Sequence, residues 1–419
     1  MTTWSLDGPR GVDHLGNGVL DRVRERVALE PLNYRTIVQA LRAEGVIVSD
    51  DALVDLAADV LREFEGLGRI EPLLRMAGVT DILVNGTHGT WIDCGSGLQQ
   101  VAQARFTEEV QVRSLAQRLA DGVGRRLDEA SPWVDAQLPQ GLRLHAVIPP
   151  LAVDGTVISL RIPARRGFDL AALQAAGSVD RHGATWLGAV VAARLTFLIS
   201  GGTGSGKTTV LGALLGAVPR AERMVIVEDS TELDPAHPHC VRLQARTANI
   251  EGAGAMSLRD LLRQALRMRP DRIVVGEVRG PEVLDLLTAF NTGHEGCCGT
   301  VHANRARDVP ARLEALGLTA GIPRAAVHAL IGAGLDAIVH LQHASGPDGV
   351  RRRTVEGIHV VEPVPWSAGD DGRADGVRVS NAVTFDVVTG DVSRGPGFAL
   401  LAERLRERGV IAPVTEIAA

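Results

Sequence analysis

The chain has 419 residues, of which 45% are hydrophobic, 22% charged and 3% aromatic, with a formal net charge of −6. That length calls for two or three domains, and the composition is that of a globular protein whose cores are built from Leu, Val, Ile and Ala. Few aromatics and no excess of basic charge argue against a protein that stacks bases or tracks a phosphate backbone, so no direct nucleic-acid partner is expected.

No run of about eighteen uncharged apolar residues occurs, and the best candidate, 187–200, contains Arg194. The opening residues, MTTWSLDGPRGVDH, lack the basic, apolar and small-residue order of a signal peptide. Four cysteines (Cys94, Cys240, Cys297 and Cys298) are too few for a disulfide framework in a chain of this size. A cytoplasmic location is therefore expected. Of the 44 basic residues, the only lysine is Lys207. A GC-rich genome favours arginine codons, so one surviving lysine marks a place where a guanidinium will not serve.

In chain order, residues 1–70 predict an amphipathic helical extension, with the Asp50-Asp51 pair opening a helix. Residues 71–163 predict a smaller α/β domain: TDILVNGTHGTWID reads as two strands around an Asn-Gly turn, FTEEVQVRSLAQRLADGVGRR as a helix, and GLRLHAVIPP and GTVISLRIP as strands. A linker follows at 164–180. Over 181–345, strands (RLTFLIS, RMVIVEDS, RIVVGEV, CCGTVHA) alternate with helices (TTVLGALLGAV, LRDLLRQALRMR, GPEVLDLLTAF), the pattern of a mostly parallel sheet covered by helices. Residues 346–419 predict further strands around a glycine- and aspartate-rich break, then a charged helix.

GGTGSGKT, Gly201 to Thr208, fits the phosphate-loop pattern and has the context that pattern needs, an apolar strand before it and a helix opening inside it. Gly201, Gly202, Thr203, Gly204, Ser205 and Gly206 would curl their N–H groups around an anion, with Thr209 following in the first helical turn. Lys207 would hold the β- and γ-phosphates as a compact charge and Thr208 would ligate Mg²⁺. With no second lysine to read guanine, ATP is favoured over GTP. Two further strands end in carboxylates, Glu228, Asp229 and Glu232 in VIVEDSTELDP and Glu277 in RIVVGEVRG. One of these beside a γ-phosphate can orient water or hold Mg²⁺ through water. Gly276 stands where most phosphate-loop ATPases carry the metal-linked aspartate.

The succession GGTGSGKT, VEDSTEL, RPDRIVVGEVRG, TGHEGCCGTVHAN resembles the Walker A, Asp box, atypical Walker B and His box of the type II/type IV secretion ATPases. Upstream, TDILVNG and PWVDAQLPQGLRLHAVIPPLAVDGTVISLRI resemble that family's N-terminal domain, so the likeness spans about residues 70 to 345. It is nearest the tight-adherence (Tad, CpaF-like) pilus branch, whose actinobacterial members are often labelled conjugal-transfer ATPases. No C-x₂-C pair occurs, unlike the zinc-bearing assembly ATPases of type II secretion and type IV pili.

The resemblance implies a RecA-like phosphate-loop ATPase domain behind a smaller, PAS-like α/β domain. It further implies a homo-hexameric ring with nucleotide between the two domains. Partners would be inner-membrane platform proteins of a pilus or secretion system, with peripheral membrane association through them. Residue by residue it assigns Glu232 to the Asp box, Glu277 to the Walker B, and His294 and His302 to the His box near the γ-phosphate. Arg143 and Arg161 match arginines of the N-terminal domain that face nucleotide. Cys297 and Cys298 are neighbours on a predicted strand and so point to opposite faces, which disfavours a shared zinc or a redox pair; small side chains filling a tight strand account for them better.

Overall fold

A computed structural model describes residues 15–27, 33–95, 97–102, 104–163, 168–246, 253–293, 295–345, 351–364, 376–387 and 389–413. The chain divides into two units, Met1–Pro163 and Ala164–Ala419. The first begins with three helices, α1 (Gly16–Val27), α2 (Tyr34–Ala43) and α3 (Asp50–Glu65). Asn33 caps α2 by accepting from the amides of Arg35 and Thr36, and the two predicted aspartates open α3, where they complement the helix dipole. Val23, Ile37, Leu41, Ala57 and Val60 close into a small core of their own.

After the short α4 (Glu71–Leu74) come β1 (Asp81–Asn85), β2 (Thr90–Asp93), β3 (Leu98–Val101), α5 (Glu109–Asp121), β4 (Trp133–Gln137), β5 (Arg143–Val147) and β6 (Val157–Arg161). The strands form one sheet in the order β3-β2-β1-β6-β5-β4, and every pair is antiparallel. Ile82, Val84, Leu144, Ala146, Ile158 and Leu160 share one core with Val112, Leu115 and Ala116 of α5. Period-two alternation therefore puts the odd-numbered residues of β5 and β6, Arg143 and Arg161 among them, on the other face.

The second unit runs α6 (Leu170–Ala175), α7 (Arg181–Ala192), β7 (Phe197–Gly201), α8 (Lys207–Gly216), β8 (Met224–Glu228), β9 (Cys240–Gln244), α9 (Leu258–Ala265), β10 (Arg272–Val278), α10 (Val283–Phe290), β11 (Cys298–His302), α11 (Val309–Thr319), α12 (Arg324–Gly334), β12 (Ala337–Ser345), β13 (Arg351–Pro363), β14 (Val377–Phe385), β15 (Val392–Arg394) and α13 (Phe398–Glu407). Nine strands make one sheet, β15-β14-β13-β12-β7-β11-β10-β8-β9. From β12 through β9 the pairs are parallel, and from β12 to β15 they are antiparallel. Residues 346–419, marked off in the sequence by their glycine-rich break, thus supply strands to the same sheet, and the predicted linker contains α6.

Helices cover both faces, as the alternation of elements predicts. Phe197, Ile199, Met224 and Ile226 pack with α7, α8 and α13; Leu198, Val225, Val227 and Ile273 pack with α9, α10, α11 and α12. Every residue of β7 and β8 is buried, which explains why both strands open with an unbroken apolar run, Phe197–Ile199 and Met224–Val227. Each fully buried Leu, Ile or Phe contributes about 1.5–3 kcal/mol over its exposed state. Among the described residues, no helix is long and apolar enough to cross a membrane.

A candidate nucleotide site at the ends of the parallel strands

The phosphate loop turns from Gly201, the last residue of β7, to Lys207, the first of α8. Gly206 has φ +91°, a conformation that a side chain disfavours, and it caps α8 without any side-chain hydrogen bond. The first amides of α8 are therefore left for an anion. Lys207 is buried, and its Nζ donates to the carbonyls of Gly201 (3.1 Å) and Gly202 (2.9 Å). Burial pushes the Lys207 ammonium down, and the Glu277 carboxylate holds it up. The loop residues 202–206 stand between the two elements, and Thr208 and Thr209 lie half-buried in the first turn of α8.

Two neighbouring strands deliver the chemistry. Lys207 Nζ lies 3.3 Å from His302 Nδ1 at the end of β11, and His302 Nε2 lies 2.6 Å from Glu277 Oε1 on β10. An ammonium can only donate, so Nδ1 accepts and the ring proton sits on Nε2, the nitrogen nearer the carboxylate, without an aligned hydrogen bond to Glu277 Oε1. Burial, then the Lys207 charge, lowers the His302 pKa and keeps the ring neutral, with Glu277 opposing the shift. Glu277 is aimed by a bulge: β10 and β11 pair at Val275↔Gly299 and next at Val278↔Val301, so three steps on one strand match two on the other. Thr300 Oγ donates to the Gly276 carbonyl at 2.6 Å and pins the bulge.

Arg279 completes the group. It forms an ion pair with Glu277, and its pKa is raised first by that hydrogen bond, with further contributions from Asp229 and Glu232. The charges of Glu277, Asp229 and Glu232 thus all act on one cation. Arg279 stands two residues after Glu277 in the sequence, but one arginine among so many carries no signal by itself.

Gly276 has its own explanation. A Cβ there would lie 2.7 Å from Glu228 Cγ, so the Glu228 side chain occupies the space that an aspartate at 276 would take. Glu228 Oε1 accepts from the amides of Glu232 and Leu233, both at 3.1 Å, and so shapes the acidic loop. Burial pushes the Glu228 carboxyl up to about 7. Because its folded pKa exceeds its unfolded value, the stability it contributes is full below about pH 4.5 and is lost as pH rises through 7. Glu228→Gln removes the buried charge and keeps the shape. Its melting temperature is expected to rise relative to the parent from pH 5 to pH 8, as followed by circular dichroism; a difference that does not change with pH contradicts this account.

The donor set fits Mg-nucleotide: an uncapped helix start and a buried ammonium for phosphate, with the Thr208 hydroxyl and the Glu277 and Glu232 carboxylates for the metal. Arg143 and Arg161 are direct register partners on β5 and β6 of the first unit, and Arg161 Nε lies 3.4 Å from Asp81 Oδ1. His294 lies outside the described residues. Its neighbour Glu295 pairs with Arg194 (3.9 Å) and with Arg408. Cys297 and Cys298 are free and buried in opposite cores, and burial pushes the Cys297 thiol up to about 12. Among the described residues, no cluster of His, Cys, Asp and Glu is arranged to hold a metal ion.

The sequence model of the type II/IV secretion system proteins matches residues 63–354. A Mycobacterium tuberculosis (strain ATCC 25618 / H37Rv) protein whose name refers to conjugal transfer is 52% identical over 326 residues, covering 76% of this chain and 90% of that protein. The type IV secretion system protein PtlH of Bordetella pertussis (strain Tohama I) is 33% identical over 334 residues, covering 73% of this chain and 97% of PtlH. In fold, the pilus retraction motor PilT, solved with bound ADP, superposes with a TM-score of 0.53 at 22% identity, over 71% of this chain and 83% of that one. With these likenesses added to the four motifs and to their meeting at one sheet edge, the chain belongs to the type II/IV secretion system ATPase family.

Proposed function

We propose that this chain is an ATP-hydrolysing, hexameric motor that powers Tad-type pilus assembly or protein secretion at the cytoplasmic face of the inner membrane. The observation that carries the reading is the run Lys207–His302–Glu277–Arg279, drawn from the start of α8 and the ends of β11 and β10 around one phosphate loop. In this reading Lys207 leaves the loop carbonyls for the β- and γ-phosphates, and the α8 amides hold the same oxygens. Mg²⁺ bound at Thr208 would supply charge neutralisation on the phosphate oxygens. Glu277, held by Arg279, orients the attacking water, and His302, with its proton on Nε2, stands beside the carboxylate and registers the γ-phosphate through Lys207. Arg143 and Arg161 serve as cations for the phosphates, and platform proteins at the membrane receive the work.

Purified protein with ATP and Mg²⁺ should show, by light scattering, the mass of six copies together with phosphate release. A strictly monomeric active enzyme would sink the ring mechanism. Transfer of DNA by conjugation is the second reading, favoured by the name of the 52%-identical relative. A deletion strain that loses pili but keeps DNA transfer supports the first reading, and the converse supports the second.

A further inference from the structure

The phosphate loop has two flanks. On one, β11, β10 and β8 carry His302, Glu277 and the acidic loop, so the γ end of a bound triphosphate belongs there. The other flank is β12 and β13, to which the hydrolytic chemistry assigns nothing. Leu341 of β12 pairs with Gly201 on one side and with Val355 of β13 on the other. Because β13 runs antiparallel, Arg353 lies two residues past the level of Gly201, at the same edge of the sheet as the loop.

The side chain of Arg353 reaches the loop itself. A Cβ built on Gly206 would stand 3.6 Å from Arg353 Cδ. The residue is exposed, and among the described residues its guanidinium makes no hydrogen bond or ion pair. A cation beside the start of α8, which is itself the positive end of the helix and begins with Lys207, sits in a field of its own sign. Such a placement is unfavourable until an anion lies between the like charges.

We propose that Arg353 contacts the α-phosphate of the bound nucleotide from within the same chain, opposite the catalytic flank. This rests on the ATPase reading above and assigns the nucleoside end of the substrate to the β12–β13 side of the loop. The α-phosphate is common to ATP and ADP, whereas the γ-phosphate is not, and that difference makes the assignment testable.

The experiment is equilibrium binding of fluorescent ATP and ADP analogues to the full-length chain, with steady-state hydrolysis alongside. Arg353→Ala is expected to weaken both nucleotides by the same factor, roughly tenfold, or about 1.4 kcal/mol. KM should rise in step, kcat at saturation should stay within about twofold, and Arg353→Lys should recover most of the loss. Unchanged affinity for ADP and ATP in a variant with the parent's melting curve overturns the proposal. So does a loss confined to ATP, which would put Arg353 at the γ end. If Arg353→Ala melts early, Arg353→Gln keeps the stem without the charge and is read the same way. A parent chain that binds neither nucleotide defeats the ATPase reading instead.

Discussion

Lys207→Ala is expected to abolish ATP hydrolysis, lowering phosphate release by about 10³-fold or more, because the transferring phosphoryl group loses its closest fixed cation. No other lysine can stand in, since Lys207 is the only one in the chain. The buried Nζ also bridges the Gly201 and Gly202 carbonyls to His302, so its removal empties a contact point between β7 and β11. A melting curve recorded beside the assay separates lost chemistry from lost fold. A Lys207→Ala protein that hydrolyses ATP at the parental rate removes the nucleotide-site assignment altogether.

Glu277→Gln is expected to keep ATP binding and lose turnover by about 10²–10⁴-fold, the range for removing a group that orients or deprotonates the attacking water. The substitution is nearly isosteric, but it takes a negative charge from between His302 and Arg279. The field at the loop therefore becomes more positive, and affinity for the nucleotide polyanion should hold or increase. Fluorescent-nucleotide titration together with single-turnover hydrolysis reads both quantities. Loss of binding with the chemistry intact would contradict a catalytic role and make Glu277 a structural anchor for Arg279.

Much of this site is legible in the sequence. A strand, a glycine-rich turn and a helix start are local, so the phosphate-loop pattern is readable within a dozen residues, and the lone lysine falls on its required position. Alternating apolar runs and amphipathic segments gave the parallel sheet, because a strand buried on both faces must be apolar throughout. The opposite facing of Cys297 and Cys298 also followed from strand geometry alone, and the two lie in separate cores. Less visible were the edge strand β9, whose half-exposed residues include Arg242, and the joining of the tail to the ATPase sheet. An exposed edge strand lacks an apolar run, and hairpin partners of β12 are chosen by pairing at a distance.

By itself, then, the sequence determined the elements and the chemistry available to them: the loop that takes phosphate, the carboxylates at strand ends, and the family those motifs resemble. Tertiary structure decided which of these groups meet. Sheet order is not chain order, so β10 and β11 flank the loop on one side and β12 and β13 on the other. Only the bulge at Gly276–Glu277 turns the carboxylate toward His302, and only the packing of β8 against β10 places Glu228 in the space beside Gly276. Arg279 and Arg353 are two among many arginines until folding sets one against Glu277, in the field of Asp229 and Glu232, and the other beside the start of α8. A side chain's charge is written in the sequence, but its field depends on neighbours that the chain brings close only by folding.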